Sequence, residues 1–189
     1  MIGHNKVTRA MSKEIVDMYS KIKGDASGLE QLLAKLPGLS GYMEREQRRA
    51  ADQLLRQTVA ARLEETRLAL SEVHQALNRD IVTAITYAEP LGRVDTRLMG
   101  LIGKIHDAPV GYAGFFDAVK VREEELAQLY EFDEQMVVYA EQLALDVAAL
   151  AKAAREEGEI AQAIEVLNSN LTVANEAFVG RNALLLGIE

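Results

Sequence analysis

Two long apolar seams in the last third of the chain constrain its fold more than any other feature. In each seam the apolar residues follow one another at alternating steps of three and four, which is the spacing of a heptad repeat on an α-helix. Gly158 lies between the two seams and predicts a turn there. The helices on either side of this turn are expected over residues 121–155 and 159–186. The first seam comprises Leu126, Leu129, Asp133, Met136, Ala140, Leu143, Val147, Leu150 and Ala154, and the second Ile160, Ile164, Leu167, Leu171, Ala174, Phe178, Arg181 and Leu185.

The two seams match layer by layer when the chain folds back at residue 157. Ala140 then faces Ala174, so the helices can approach closely there, and Met136 faces Phe178. The polar residue of each seam is matched too, because Asp133 faces Arg181. We therefore predict an antiparallel helical hairpin with a structural ion pair in its seam. Such a pair fixes register more than it adds stability, since desolvation offsets much of the attraction. A functional ion pair in an active site is the alternative.

A third long helix is predicted over residues 41–88. Its apolar stripe recurs at helical steps from Leu55 to Ala88, Ser40 can cap its start, and Pro90 predicts its end. A kink is conceivable at residues 78–80. The groove of the hairpin can bury this stripe, although the direction of helix 121–155 relative to helix 41–88 depends on the path of residues 89–120.

These elements predict an all-α fold class with a single helical domain over residues 1–189. The expected architecture is a long antiparallel three-helix bundle, similar to a coiled coil. Short helices within residues 1–36 precede it, and one short helix over residues 95–107, capped by Asp95, is inserted between the long ones.

Composition narrows the classes of function. A chain of 189 residues suits one domain. It has no cysteine, which excludes disulfides, thiolate catalysis and Cys-ligated metal sites, and which fits a reducing compartment. The N-terminus lacks the apolar stretch of a signal peptide, and no segment has eighteen uninterrupted apolar residues. We therefore expect a cytoplasmic protein that does not cross a membrane. The net charge of −8 argues against general affinity for nucleic acid or anionic lipid.

No pattern of catalytic, cofactor-binding or metal-binding residues occurs in the sequence. A di-iron bundle would need Glu-x-x-His on two helices, but the residues three positions before His4, His74 and His106 are Met, Ser and Gly. Walker loops, nucleophile elbows and His-Glu-x-x-His are also missing. We therefore expect no catalytic residue, no cofactor and no metal, and we expect the protein not to be an enzyme.

Aromatic residues near two turns are the first candidates for contact with a partner. Residues 107–117 contain two glycines and a proline and predict a loop that presents adjacent phenylalanines. A satellite core that pins this loop to the bundle is the alternative. The candidate partner contacts are Tyr42, Tyr112, Phe115 and Phe116.

Basic residues form a second candidate surface. Four arginines lie on about one side of the helix that begins near residue 41, and they could hold phosphates. Pairing with the interleaved acidic residues is the structural alternative. The short amphipathic helix over residues 10–23 could lie on an anionic membrane or could pack across the end of the bundle. The candidate anion contacts are Arg45, Arg48, Arg49 and Arg56.

Two short sequence boxes stand out within residues 36–133. Residues 36–56 have a Pro-Gly-x-x-Gly-Tyr turn followed by Arg-Arg-x-Ala-Asp-x-x-Leu-Arg, and residues 111–120 read Gly-Tyr-Ala-Gly-Phe-Phe-Asp-Ala-Val-Lys. Leu-Tyr-Glu-Phe-Asp at residues 129–133 completes the second box. Together the two boxes resemble a family of uncharacterised bacterial helical-bundle proteins. The resemblance implies a bacterial helical bundle without an assigned activity, and it implies no mechanism.

The sequence as a whole predicts a non-enzymatic interaction or scaffold bundle. It would self-associate or bind a protein partner, and no small-molecule substrate is indicated. The alternative is a peripheral binder of anionic membrane or nucleic acid, which would act through the basic N-terminal helix and the arginine side of the long helix.

Overall fold

Four α-helices make up the part of the chain that the computed structural model describes, which is residues 45–108, 123–156 and 158–186. Side chains are described for residues 53–108, 132, 134–156 and 158–180. The helices are α1 (Arg45–Leu77), α2 (Ile81–Asp107), α3 (Glu123–Arg155) and α4 (Ile160–Leu186). At 1.5 Å per residue, the longer two span roughly 50 Å and the shorter two roughly 40 Å. The predicted all-α class is confirmed, and these residues contain no strand.

The helices pack in a ring, in which α1 contacts α2 and α3, and α4 also contacts α2 and α3. The α1–α2 hairpin is antiparallel. Arg67 bonds to Asp95, which is 28 residues later in the chain, whereas Arg56, farther from the turn, bonds to Ala108, which is 52 residues later. The α3–α4 hairpin is likewise antiparallel. The bundle therefore consists of two helical hairpins that pack side by side.

Helices of different hairpins that contact each other run parallel. Arg62 of α1 donates two hydrogen bonds to Glu141 of α3, at 2.9 Å and 2.8 Å, and these bonds raise the pKa of Arg62. Near the other end of the described contact, Leu55 of α1 and Met136 of α3 line the same small space. The later residue of α1 thus meets the later residue of α3, and the earlier meets the earlier. Helices α1 and α3 therefore run parallel, which is the relative direction that the sequence left open.

The predicted helix over residues 41–88 is broken at residues 78–80, and this part of the prediction is wrong. Asp80 caps the start of α2, because its backbone is extended and its Oδ1 accepts a hydrogen bond from the Thr83 amide at 2.9 Å. The Thr83 hydroxyl donates to the carbonyl of Leu77, the last residue of α1, at 2.7 Å. Two side chains therefore satisfy backbone groups on both sides of the turn, which stabilises a chain reversal where the sequence suggested at most a kink.

Helix α2 continues through Pro90, so the predicted stop before this residue is also wrong. Proline inside a helix costs about 3 kcal/mol or more, because it lacks an amide hydrogen and crowds the preceding turn. The carbonyl four residues earlier belongs to Thr86, which is exposed, so water can satisfy it. Burial of Leu91, Val94 and Leu98 directly after the proline offsets the cost.

The expected short helix over residues 95–107 is the second half of α2. Asp95, expected as its N-cap, lies in the middle of a 27-residue helix instead. Within residues 45–108, 123–156 and 158–186 the structure therefore has four helices of comparable length, in place of the three long helices and one short insert that the sequence predicted. The N-terminal short helices expected within residues 1–36 lie outside the described residues.

The core lies along the axis of the ring and is built mainly from aliphatic side chains. The apolar stripe of α1 from Leu55 to Leu77 is buried as predicted, whereas its expected continuation at Ile81 and Ile85 is exposed. The largest side chains that are almost completely buried are Phe178, Leu63, Leu91, Leu98, Leu101, Ile105, Leu143, Leu150, Leu167 and Leu171.

The register predicted for the α3–α4 hairpin agrees with its described contacts. Asn170 donates a hydrogen bond to Asp146 at 2.7 Å, and a Cβ atom placed on Gly180 would lie 3.5 Å from the ring of Phe132. The predicted matching places residue 168 opposite Asp146 and residue 182 opposite Phe132, so each contact lies two residues from its predicted partner. The side chains of Asp133 and Arg181 lie outside the described ones, so their ion pair stays a prediction.

Candidate functional site

An open groove of about 530 Å³ runs between α1 and α2 on the outside of the bundle. Its floor includes Leu70 and Ile102, which belong to the core. Leu68 of α1 and Met99 of α2 stand on its two sides. The groove exists because the two helices of this hairpin have contacts with α3 and α4 on one side only.

Large apolar side chains are exposed beside this groove. Leu68 is 69% exposed and Met99 is 51% exposed. Two further residues at the start of α2, Ile81 and Ile85, are 74% and 76% exposed. Single exposed apolar residues are ordinary, but several on one side of one hairpin mark a surface that can bind another molecule. We name this surface the α1–α2 face.

The charged side chains of the α1–α2 face are paired within the face. Arg67 donates to both carboxylate oxygens of Asp95, at 2.7 Å and 3.0 Å, and these hydrogen bonds raise the pKa of Arg67. His106 Nε2 lies 3.0 Å from Glu64 Oε1. The two pairs join α1 to α2 across the groove. Both pairs are exposed, and an exposed pair contributes at most about 1 kcal/mol to stability.

The groove is lined by polar side chains as well as by apolar ones. Ser71 and His74 line the groove beside the paired charges, but no hydrogen bond joins them. Among the side chains that the structure describes, no three His, Asp or Glu residues gather as a metal site would require. What the described face offers is apolar contact area bordered by ion pairs.

Most of the residues that the sequence singled out lie outside the described part. Tyr42, Tyr112, Phe115 and Phe116 belong to segments that are not described. Arg45, Arg48 and Arg49 lie on α1, but their side chains are not among those described. The partner and anion contacts assigned to these residues therefore stay predictions.

Arg56 is placed differently from what an anion contact requires. It is only 7% exposed, and its Nη1 donates to the carbonyl of Ala108 at 2.6 Å. This bond connects the first half of α1 to the end of α2. We therefore assign Arg56 a structural position inside the bundle, which differs from the surface position that the sequence suggested.

Sequence reasoning missed the α1–α2 face. Ile81 and Ile85 continue the helical spacing of the α1 stripe and were therefore expected in the core, whereas Asp95 has the residue type of a helix cap. One signal could have helped: the acid at residue 80 followed by Thr83 is typical of a helix start. A helix that begins at residue 81 cannot continue the stripe of α1, so its first apolar residues need another explanation.

A buried carboxylate in the α3–α4 hairpin is the other polar feature of note. Asp146 is 6% exposed and accepts hydrogen bonds from Gln142 at 2.8 Å and from Asn170 at 2.7 Å. Burial raises the pKa of Asp146, although the two hydrogen bonds act in the opposite direction. Asp146 joins α3 to α4 and does not line the groove between α1 and α2.

We expect Asp146→Asn to stabilise the protein more at pH 7 than at pH 4. The folded state holds the Asp146 proton more tightly than the unfolded state, so the fold loses stability as the pH rises from 3.8 through the raised pKa. Asparagine stays uncharged and removes that loss. The measurement is urea unfolding of both proteins at the two pH values. Glu165→Gln, which alters an exposed carboxylate, is the control. A benefit that is larger at pH 4 would contradict the assignment.

None of the helices formed by the described residues is both long and apolar enough to cross a membrane. Comparison with protein-family models, curated proteins and solved structures found no match to this chain. The resemblance of residues 36–56 and 111–133 to a bacterial helical-bundle family therefore stays a prediction. The function of the chain has to be argued from the geometry of the α1–α2 face.

Proposed function

We propose that this chain is a non-enzymatic interaction bundle and that it binds a protein partner through the α1–α2 face. One observation carries the proposal: exposed apolar side chains of two helices lie beside charges that are already paired with each other. A partner that covers this face buries Leu68, Ile85 and Met99 without leaving the charges of the face unpaired. The absence of cysteine supports a cytoplasmic setting.

The energetics favour a protein partner over a small ligand. The groove is open to solvent, whereas small molecules bind in clefts that bury most of their surface. A helical or flat protein surface, in contrast, can cover side chains that project from the face. Burial of one such aliphatic side chain contributes roughly 1.5–3 kcal/mol before the cost of association is subtracted.

The proposal predicts that Leu68→Glu abolishes partner binding without unfolding the bundle. Leu68 is mostly exposed, so a glutamate is tolerated in the free protein, but it places a charge inside the proposed contact. Tagged protein is added to an extract of its source cells, cross-linked chemically, and the captured proteins are identified by mass spectrometry. We expect the amount of each protein that is cross-linked to the wild type to be at least about tenfold lower with the variant.

Val166→Glu is the matched control for this experiment. Val166 is 45% exposed on α4, away from the α1–α2 face, and receives the same change of charge. Circular dichroism verifies that both variants remain helical. If Leu68→Glu captures the same species as Val166→Glu, the α1–α2 face is not the contact surface and the proposal is wrong.

A further inference from the structure

The exposed apolar residues of α2 lie along one line. Ile81, Ile85 and Met99 share a side of the helix with Gly92, since the intervals of four, seven and seven residues return to nearly the same direction. A Cβ atom placed on Gly92 would meet nothing within 4 Å, so this position is open. The line therefore combines apolar side chains at its two ends with an open backbone at its centre.

The start of α2 projects beyond its neighbour α4. Arg97 contacts Asn168, and Lys104 contacts Asn175; both partners are 71 residues later in the chain. The same offset places Ile160, the first residue of α4, level with Glu89. Ile81 and Ile85 thus lie before the level at which α4 begins.

Charge limits which partner can cover this line. With a net charge of −8, two copies of the chain repel each other over most orientations. On the α1–α2 face, Arg67 is paired with Asp95, so these two side chains add no net charge to a contact with a copy. Next to the line, Glu89 is likewise paired with Arg93.

We propose that the α1–α2 face binds a second copy of this chain, with the two α2 helices antiparallel and Gly92 on the two-fold axis. This inference rests on the proposed function, because it uses the same face and names the partner. A residue that follows Gly92 by some number of positions then lies opposite the residue of the copy that precedes Gly92 by the same number. Ile85 meets Met99 of the copy, and Ile81 meets the open position Gly103.

The same arrangement brings opposite charges together. Glu89 lies within about one helical turn of Arg93 of the copy, so the two internal pairs combine into one network across the axis. At the ends of the contact, the exposed Arg79 approaches the exposed Asp107 of the copy. Complementary charge therefore flanks an apolar line, and the arrangement is complementary to itself as a two-fold interface requires.

The available area is adequate for a stable dimer. A face roughly 40 Å long and two helices of about 10 Å wide offers on the order of 800 Å² per copy. Standard specific interfaces bury about 800 Å² on each partner. The α1–α2 face alone thus reaches the size that such a complex needs.

A single engineered cysteine tests this arrangement, because the chain contains none of its own. In Gly92→Cys the two sulfurs lie across the axis, and a disulfide forms when the Cα atoms are about 4.4–6.8 Å apart. We expect mild oxidation to convert most of this variant to a covalent dimer. Gly100→Cys is the matched control: this position of α2 is equally open but lies on a different side of the helix, so it should stay uncross-linked.

Light scattering after size exclusion gives the second measurement on purified protein. We expect a dimer for the wild type and for Val166→Glu, whereas Ile85→Glu should weaken the dimer at least about tenfold because two new charges lie in the apolar line. Ile85 is exposed and a Cβ atom at Gly92 would meet nothing within 4 Å, so both variants should remain folded. A wild type that is monomeric at about 100 μM, or a dimer that Gly92→Cys does not cross-link, would overturn the inference. If the purified chain is monomeric but Leu68→Glu still loses partners from the extract, the proposed function stands and only the identity of the partner is wrong.

Discussion

Replacing Phe178 with alanine should destabilise the protein by about 3–5 kcal/mol. Phe178 is 2% exposed and borders a small space that side chains from all four helices line. Leu55 and Val59 come from α1, Ile105 from α2 and Met136 from α3. Truncation removes apolar contacts with every helix at once and leaves a cavity that rigid neighbours cannot fill. Urea unfolding followed by circular dichroism, at one protein concentration, measures the effect.

The neighbouring residue provides the control for this prediction. Val179 follows Phe178 on α4 and is 51% exposed. Val179→Ala shortens an apolar side chain at almost the same place but outside the core, and it should change stability by no more than about 0.5 kcal/mol. An equal loss in both variants would show that the junction of the four helices does not depend on Phe178.

Replacing Ala174 with leucine should destabilise the protein by about 1–3 kcal/mol, because the added atoms have no space. Ala174 is completely buried, and Ala140, its expected partner in the α3–α4 hairpin, is 3% exposed. Two small residues at one level allow the helices to approach closely, so a larger side chain has to push them apart. The change in stability is measured by urea unfolding, as for Phe178.

An exposed alanine on the same helix separates crowding from helix propensity. Ala161 is exposed near the start of α4, and Ala161→Leu should leave stability within about 0.5 kcal/mol of the wild type. If Ala174→Leu raises stability instead, the layer contains space to be filled, and close packing of the two alanines is wrong.

The α3–α4 hairpin was predictable from the sequence because local and tertiary requirements agree there. Its seams have alternating steps of three and four without interruption, and the turn falls beside a glycine. Once two such seams are joined by a tight turn, only one antiparallel register brings alanine to alanine and Met136 to Phe178. The contacts of Asp146 with Asn170 and of Phe132 with Gly180 lie within two residues of that register.

The α1–α2 hairpin was not predictable in the same way, because local signals disagree with the packing. Periodicity continues from Leu77 to Ile81 and Ile85 without a change of phase, and Pro90 is a strong signal for a helix end. In the structure a helix ends at residues 78–80, where the sequence signal is weak, and α2 continues through Pro90, where the signal for an end is strong. Capping by Asp80 and Thr83 stabilises the turn, and burial of the residues after Pro90 outweighs the missing backbone hydrogen bond.

The sequence by itself determined the all-α class, the two helices that meet at the turn beside Gly158, and the burial of the α1 stripe up to Leu77. These features follow from side-chain spacing along single helices, which is a local property. Only the tertiary structure decided that α2 is a full helix, that α1 and α3 run parallel, and that Ile81, Ile85 and Met99 lie on the surface. The physical reason is that periodicity shows which residues of a helix share a side, whereas the neighbours present at each level decide whether that side is covered.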